Sequence, residues 1–434
     1  MIKRIKVTGY KSLESVEVQF QPLSIFIGPN AAGKSNLLDA LSLISGIVTK
    51  KNLKEAFAEQ RGLPLESFYY GDEGFDRLRE KETAEASFEV DVELSSSVIT
   101  RVEKLIMEKR KGMETDENPK KRITEKYLRY TVTIQILPKT GHLRIIEESL
   151  NALTQNNEIK KSRNAFIEKQ SISGRTRLHL RMEGQAHTSY FDIGLEHSVL
   201  ATSLYEPHYP HIAAFRQELS AWRFYYFEPR TLMREDVPLA EVEAIGSRGE
   251  NLAAFINTLQ SGDGQQLEDF NLSLKYLLPS IERIEVVPTP QGLLSLKLYE
   301  NGVPYSGRIL SEGTLRILGL LGALHPTSPT TVIGYEEPEN GVHPARLKLV
   351  SDLFKNIQDQ YQKQLIINTH SPIFPSYFLD SDLYACRKEL GRTQIVPFRS
   401  SGPLFKESDI STALEEKIIR RDYEMQKGKE GRGR

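Results

Sequence analysis

The feature that most constrains this chain is Gly28-Pro29-Asn30-Ala31-Ala32-Gly33-Lys34-Ser35, which reads G-x-x-x-x-G-K-S. Such a loop places successive backbone N–H groups around an anion, with a lysine to reach phosphate oxygens and a hydroxyl to reach Mg²⁺. The motif has chemical meaning only between a strand and a helix, and its flanks meet that condition. Leu23-Ser24-Ile25-Phe26-Ile27 is a short apolar run suited to a buried strand, and Asn36 to Ile44 carries apolar residues at helical spacing. A chance match in a glycine-containing turn would not need these flanks.

A phosphate loop needs a carboxylate for the cation and a group that activates water. Thr331-Val332-Ile333-Gly334-Tyr335 is β-prone and ends in Glu336-Glu337-Pro338. Two adjacent acids at a strand end repel each other unless a cation intervenes. In a Walker B-like strand end, Glu336 is expected at the metal-holding position and Glu337 as the general base. A surface pair of acids is the competing reading. The residues downstream weigh against it: Glu339-Asn340-Gly341-Val342-His343-Pro344, an amphipathic helix from Ala345 to Tyr361, and a buried strand over Gln364–Asn368 leading to Thr369-His370-Ser371-Pro372. His370 at that strand end is placed to reach a γ-phosphate. Upstream, Leu310-Ser311-Glu312-Gly313-Thr314 opens a helix whose N-terminus offers a second phosphate-binding edge. One chain with both a loop and an edge points to a composite site shared by two copies.

The remaining chain bounds the answer more loosely. Of 434 residues, 39% are hydrophobic and 26% charged, which permits a large core and excludes global disorder. The net charge of −1 excludes a polyanion binder along its whole surface. Cys386 is the only cysteine, so no intrachain disulfide or multi-cysteine zinc site can form, in keeping with a cytoplasmic protein. No apolar run reaches membrane-spanning length, and no membrane association is expected. Residues 1–20 read as two strands around Gly9-Tyr10-Lys11-Ser12. Alternating strands follow at 86–94, 130–137 and 143–150, with a helix over 97–112. Trp222 to Pro229 reads as an aromatic core strand, Gly249-Glu250-Asn251 as a helix start, and 284–299 as a hairpin. Residues 151–182 hold seven Lys/Arg against two Glu: a solvated face, or a contact surface for a nucleic-acid backbone. His208-Tyr209-Pro210-His211 reads as a loop with two unrelated histidines.

Taken in order, these elements resemble an ABC-type ATPase of the SMC/RecF-like class. They are closest to its compact AAA-labelled branch, which includes ATPases of OLD-like and antiphage defence systems. The resemblance runs from Gly9-Tyr10-Lys11-Ser12-Leu13 through Gly28–Ser35, Gly249-Glu250-Asn251-Leu252, Leu310–Thr314 and Glu336–Gly341 to His370. It implies an α/β fold: an ABC-type P-loop head with an antiparallel β subdomain and a mixed α+β insertion, without long coiled-coil arms. The expected division is 1–49 and 301–410 for the two parts of the head, 50–300 for the insertion, and 411–434 for a helical end and basic tail.

The resemblance also implies roles. ATP and Mg²⁺ are the ligands. Lys11, Asn30, Ala31, Gly33, Lys34, Ser35 and Asn36 contact nucleotide, Ser35 and Glu336 hold the metal, Glu337 activates water and His370 contacts the γ-phosphate. Ser311 and Gly313 reach the ATP of a partner copy, giving a homodimer. The chain departs from the pattern at Glu336, where aspartate is usual, and at Glu312 and Thr314, where transporters carry Gly and Gln. About 60 residues follow Pro372, too few for the TOPRIM nuclease domain of OLD-type proteins. The expected function is an ATPase controlling a separate effector, a nuclease, in phage defence or DNA maintenance. The alternatives are a RecF-type DNA repair clamp and a scaffold with structural ATP.

Overall fold

The computed structural model describes residues 1–110, 122–172, 175–183, 188–262, 264–378 and 382–398. The first half of the chain forms β1 (Ile2–Tyr10), β2 (Leu13–Gln19), β3 (Leu23–Ile27), α1 (Lys34–Thr49), α2 (Leu53–Ala58), α3 (Gly74–Glu80), β4 (Ala84–Glu93) and α4 (Ser96–Arg110). It continues with β5 (Tyr127–Leu137), β6 (His142–Ala152), β7 (Ile167–Ile172), β8 (Arg175–Arg181), β9 (Thr188–Asp192) and α5 (Pro210–Ser220). The second half forms β10 (Trp222–Tyr225), β11 (Val237–Pro238), α6 (Leu252–Ser261), α7 (Gln265–Leu277), β12 (Arg283–Pro288), β13 (Leu293–Glu300) and β14 (Val303–Ser306). It ends with α8 (Glu312–Ala323), β15 (Val332–Glu336), α9 (Leu347–Tyr361), β16 (Gln364–Thr369), β17 (Asp382–Glu389) and β18 (Arg392–Pro397).

Two compact units result. The first comprises Met1–Gln21, Asn30–Trp222 and Cys386–Ile395, and the second Pro22–Pro29, Arg223–Ala385 and Val396–Arg434. These units cut the chain differently from the consecutive spans read from sequence, and strand pairing is the reason. β4, inside the expected insertion, pairs antiparallel with β1 and so extends the opening hairpin. β3, inside the expected N-terminal span, pairs in parallel with β16 and β17 of the second unit. The expected tail at 411–434 lies outside the described residues.

The first unit is built on an eight-stranded sheet in the order β2-β1-β4-β5-β6-β7-β8-β9. Its strands alternate because one face is covered: Ile2, Ile5, Val7 and Tyr10 of β1 are buried, as are Phe88, Val90 and Val92 of β4. Charge also crosses the ladder. Asp91 on β4 lies opposite Arg4 on β1 and Arg129 on β5, accepting from Arg4 Nε at 2.9 Å and from Arg129 Nε at 2.6 Å. Burial of Asp91 between two guanidiniums is tolerable because both its oxygens are satisfied. β7 and β8 lie in the lysine- and arginine-rich stretch 151–182, and with β9 they form an antiparallel ribbon.

The second unit holds the sheet strands β15, β16 and β3 and the start of β17. β15, β16, β3 and β17 run parallel. The sequences of β15, β16 and β3 are mainly apolar and buried along their length, the pattern of strands covered on both faces. A chain of aromatic contacts packs this core: Phe227 on Tyr335 at 5.4 Å, Tyr335 on Phe354 at 5.9 Å, and Phe374 on Phe378 at 4.9 Å between centroids. A small sheet of β11, β13 and β12, with β14 on β13, contains the expected hairpin. Among the described residues no helix exceeds the 16 residues of α1, and none is long and apolar enough to cross a membrane.

Lys363 ties the end of α8 to the start of β16. Its buried ammonium donates to the carbonyls of His325 and Ser328, each at 3.0 Å. Burial lowers Lys363 from 10.5 to about 8. Below pH 8 the folded and unfolded chains both carry this proton. Between pH 8 and 10.5 the unfolded chain binds more of it, so stability rises with pH through that window. The wild type should therefore gain on the order of 3 kcal/mol relative to Lys363→Met over this range, measured as the difference between their urea unfolding curves.

Candidate active site

In the second unit, the carboxyl ends of β15, β16 and β3 lie side by side, the place where open α/β sheets bind ligands. β15 ends on Glu336, and Glu337 follows with φ of +52°, a left-handed backbone that costs a non-glycine residue about 1 kcal/mol. The turn is pinned by the Glu337 N–H donating to the Asn368 carbonyl at 2.8 Å and the Asn340 N–H donating to the Glu337 carbonyl at 3.0 Å. Both Glu337 carboxylate oxygens are engaged. His370 Nδ1 lies 3.2 Å from Oε1, and Asn340 Nδ2 donates to Oε2 at 2.5 Å. Glu337 and His370 are each more than a third exposed, so this pair faces solvent, where a ligand can reach it.

Glu339 has a different role. Its side chain is 9% exposed, and its Oε1 accepts from Thr369 Oγ1 at 2.6 Å and from the N–H groups of His370 and Ser371, each at 3.1 Å. One carboxylate oxygen therefore fixes the turn that carries His370. The sequence pattern marked Glu339 as part of a loop but gave no hint of this anchoring.

Ser311 and Gly313 sit at the start of α8. Ser311 caps the helix, its Oγ accepting from the Thr314 N–H at 3.1 Å. Gly313 meets Gly341 backbone to backbone: a Cβ on Gly313 would lie 2.5 Å from the Gly341 carbonyl oxygen. Both residues thus have local structural duties, and the α8 N-terminus is packed directly on the Glu339–Gly341 turn. The anion at Glu312, unusual beside a phosphate edge, is paired with Arg230.

In the first unit, the phosphate loop continues from Asn30 into α1. Ala31 and Gly33 have φ of +65° and +95°. Gly33 admits no side chain, because its Cβ would fall 1.9 Å from Thr393 Oγ1. Thr393 donates to the Ala32 carbonyl at 3.1 Å, Ser12 shares a hydrogen bond with Thr393 at 2.6 Å, and Asn36 Nδ2 donates to Ser12 at 2.6 Å. This hydroxyl relay braces the loop from behind. Asn36, read as a nucleotide contact, belongs to it. Lys34 opens α1 and is buried, and Ser35 is half-buried beside it. Lys11 donates to Asp39 of α1 at 2.6 Å. Asn30 is exposed. Ser12 and Thr393 were missed in the sequence because a supporting hydroxyl far along the chain leaves no local signal.

Mg²⁺ suits hard oxygen donors, and the end of the second unit's sheet offers them. The Oε1 atom of Glu336 is closed off from solvent. Beside it, the Asn368 amide is buried with neither Nδ2 nor Oδ1 bonded among the described residues. A buried amide in that condition fits a neighbouring ionic ligand better than an apolar core.

Two other candidate sites resolve into structure. His211 is fully buried, with Nδ1 2.6 Å from Glu183 and Nε2 accepting from the N–H groups of Thr124 and Glu125 at 3.0 Å, so no ring nitrogen is left for a metal. In the basic stretch, Lys160 pairs with Glu125, Arg163 with Glu183, Arg177 with Asp192 and Arg181 with Glu168. Four of its seven cations are thus neutralised within their own unit.

Strand, phosphate loop and helix, with paired acids and a histidine on neighbouring parallel strands, define a P-loop ATPase of the ABC type, in the SMC/RecF-like class and related to OLD-like proteins. Residues 145–374, more than half of the chain, match the family described as "AAA domain, putative AbiEii toxin, Type IV TA system", and the chain belongs to that family. Residues 1–187 match a second model, an AAA ATPase domain. A DNA replication and repair protein RecF from Phocaeicola vulgatus is 35% identical over 81 residues, 17% of this chain and 21% of that protein. An OLD nuclease from Thermus scotoductus is 40% identical over 48 residues, 11% of this chain and 9% of that protein. The chain thus aligns with about a fifth or less of these curated relatives' length. A solved SMC head, bound to the C-winged helix domain of ScpA, superposes with a TM-score of 0.54 at 14% identity, covering 92% of this chain and 98% of that one. It shares the fold.

Replacing Glu339 by alanine removes the acceptor of the Thr369 hydroxyl and the His370 N–H, and one of the two acceptors of the Ser371 N–H. Glu339→Ala should lose about 3 kcal/mol of unfolding free energy in urea, and Glu339→Gln, which keeps one carbonyl oxygen, should lose less.

Proposed function

We propose that the protein is a cytoplasmic ATPase that dimerises around ATP and passes its nucleotide state to a separate effector, a nuclease, in phage defence or DNA maintenance. The observation that carries this reading is the Glu337–His370 pair at the ends of adjacent parallel strands, 3.2 Å apart. In the proposed site Lys34 binds the β- and γ-phosphates, with Asn30, Ala31 and Gly33 offering backbone N–H groups. Ser35 and Glu336 hold Mg²⁺. Bound Mg²⁺ supplies charge neutralisation across the phosphate oxygens.

Glu337 takes a proton from the attacking water. Asn340 donates to one Glu337 oxygen and His370 lies against the other, which orients the carboxylate and leaves each oxygen a lone pair for the proton of the attacking water. His370 Nδ1 lies against Glu337, which leaves Nε2 for a γ-phosphate oxygen when the ring is protonated.

The RecF-type clamp reading has less support. The segment that would contact a nucleic-acid backbone has spent most of its cations on internal carboxylates.

Light scattering tests the dimer. Glu337→Gln should be dimeric in ATP and monomeric in ADP, and adding Ser311→Arg should abolish the dimer while ATP still binds. A monomer in every nucleotide state would contradict the composite site. Affinity purification of the ATP-bound Glu337→Gln protein tests the output: a co-purifying nuclease supports the effector reading, and DNA alone favours the clamp.

A further inference from the structure

Asn368 is a physical anomaly. It lies in β16, is 1% exposed, and neither atom of its amide has a hydrogen-bond partner among the described residues. Buried polar groups are rarely left in this state, because each loses its water without replacement. The backbone does not require asparagine here: the carbonyl that receives the Glu337 N–H belongs to any residue type. Nor do the neighbouring strand positions, since Leu365, Ile366 and Ile367 immediately before it are apolar.

Register shows what the amide faces. Asn368 is paired with Glu336 on one side and with Phe26 of β3 on the other. Register partners in a parallel sheet project to the same face. On the Phe26 side the wall is aromatic, because Phe26 stacks on Tyr384 at 4.8 Å with rings 14° apart. The next residue, Thr369, is committed to Glu339. Glu336 is the polar group that the pairing sets beside the amide. Its carboxylate stands one methylene further out than the usual aspartate, so its direction is less fixed by the backbone.

We propose that Asn368 is a positioning residue for the divalent cation. With the cation bound, its Nδ2–H, unbonded here, would donate to the Glu336 carboxylate and orient it toward the cation, and its Oδ1 would accept from water at the site. This rests on the ATPase reading and adds a residue to it. It also explains a longer acid at the metal position: Glu336 is oriented by a neighbouring strand and not by its own short side chain. Carboxylates that hold metals depend on such partners, and losing one typically costs 10- to 100-fold in metal affinity.

The test uses the full chain with Glu337→Gln, so that ATP is retained, and reads Mn²⁺ binding by electron paramagnetic resonance. Asn368→Leu, of similar shape, should weaken Mn²⁺ binding to the ATP complex by 10- to 100-fold. ATP binding in EDTA should be unchanged, and the metal-free protein should melt at the same temperature or higher. Asn368→Ser, which keeps one polar atom, should fall between and serves if the leucine variant does not fold. Unchanged Mn²⁺ affinity in either folded variant overturns the proposal. Failure of the ATPase reading is distinguishable: the Glu337→Gln parent itself would then bind no Mn²⁺ with ATP, and the role of Asn368 would fall with it.

Discussion

The second unit depends on parallel strands that are apolar along their length and polar at their carboxyl ends. β15, β16 and β3 must be buried on both faces to be stable, so they tolerate no ionisable group in their interiors. Chemistry is confined to the strand ends, where Glu336, Glu337 and His370 emerge. Parallel pairing brings these residues to one edge although more than thirty positions separate Glu336 from His370. The same pairing sets Asn368 beside Glu336, and the backbone of Asn368 fixes the left-handed turn at Glu337.

Around that edge, contacts between backbones do much of the positioning. Gly313 against Gly341 leaves no space for a side chain, and Glu339 gathers the donors of the His370 turn. Movement of one turn is therefore felt by the next. In the first unit the phosphate loop is braced by Ser12 and Thr393, which a Cβ on Gly33 would displace. These contacts fix the turn from which Lys34 enters α1.

Much of this was legible in the sequence. Long apolar strands, the glycine-lysine-serine loop, paired acids and a terminal histidine all carry local patterns, and their order identified the class. The α5 and α7 helices and the β7 to β9 ribbon were not read, because charged residues interrupt their apolar periodicity. The two compact units cut across the spans read from sequence because pairing between β1 and β4, and between β3 and β16, is non-local. Asn368, Ser12 and Thr393 were invisible for the same reason: each matters through a neighbour on another strand or far along the chain. The basic stretch read as a solvated face or a contact surface, and the pairing of four of its cations with carboxylates on neighbouring strands and loops depends on the fold.

Phosphate release from ATP by the purified full chain, compared between the wild type and Glu337→Gln, tests the central claim most directly. Removal of a general base predicts a fall of about 100-fold or more in turnover with ATP binding retained. Equal turnover in the two proteins, or none in the wild type with Mg²⁺ and ATP in excess, would contradict the assignment of Glu337 as the residue that activates water.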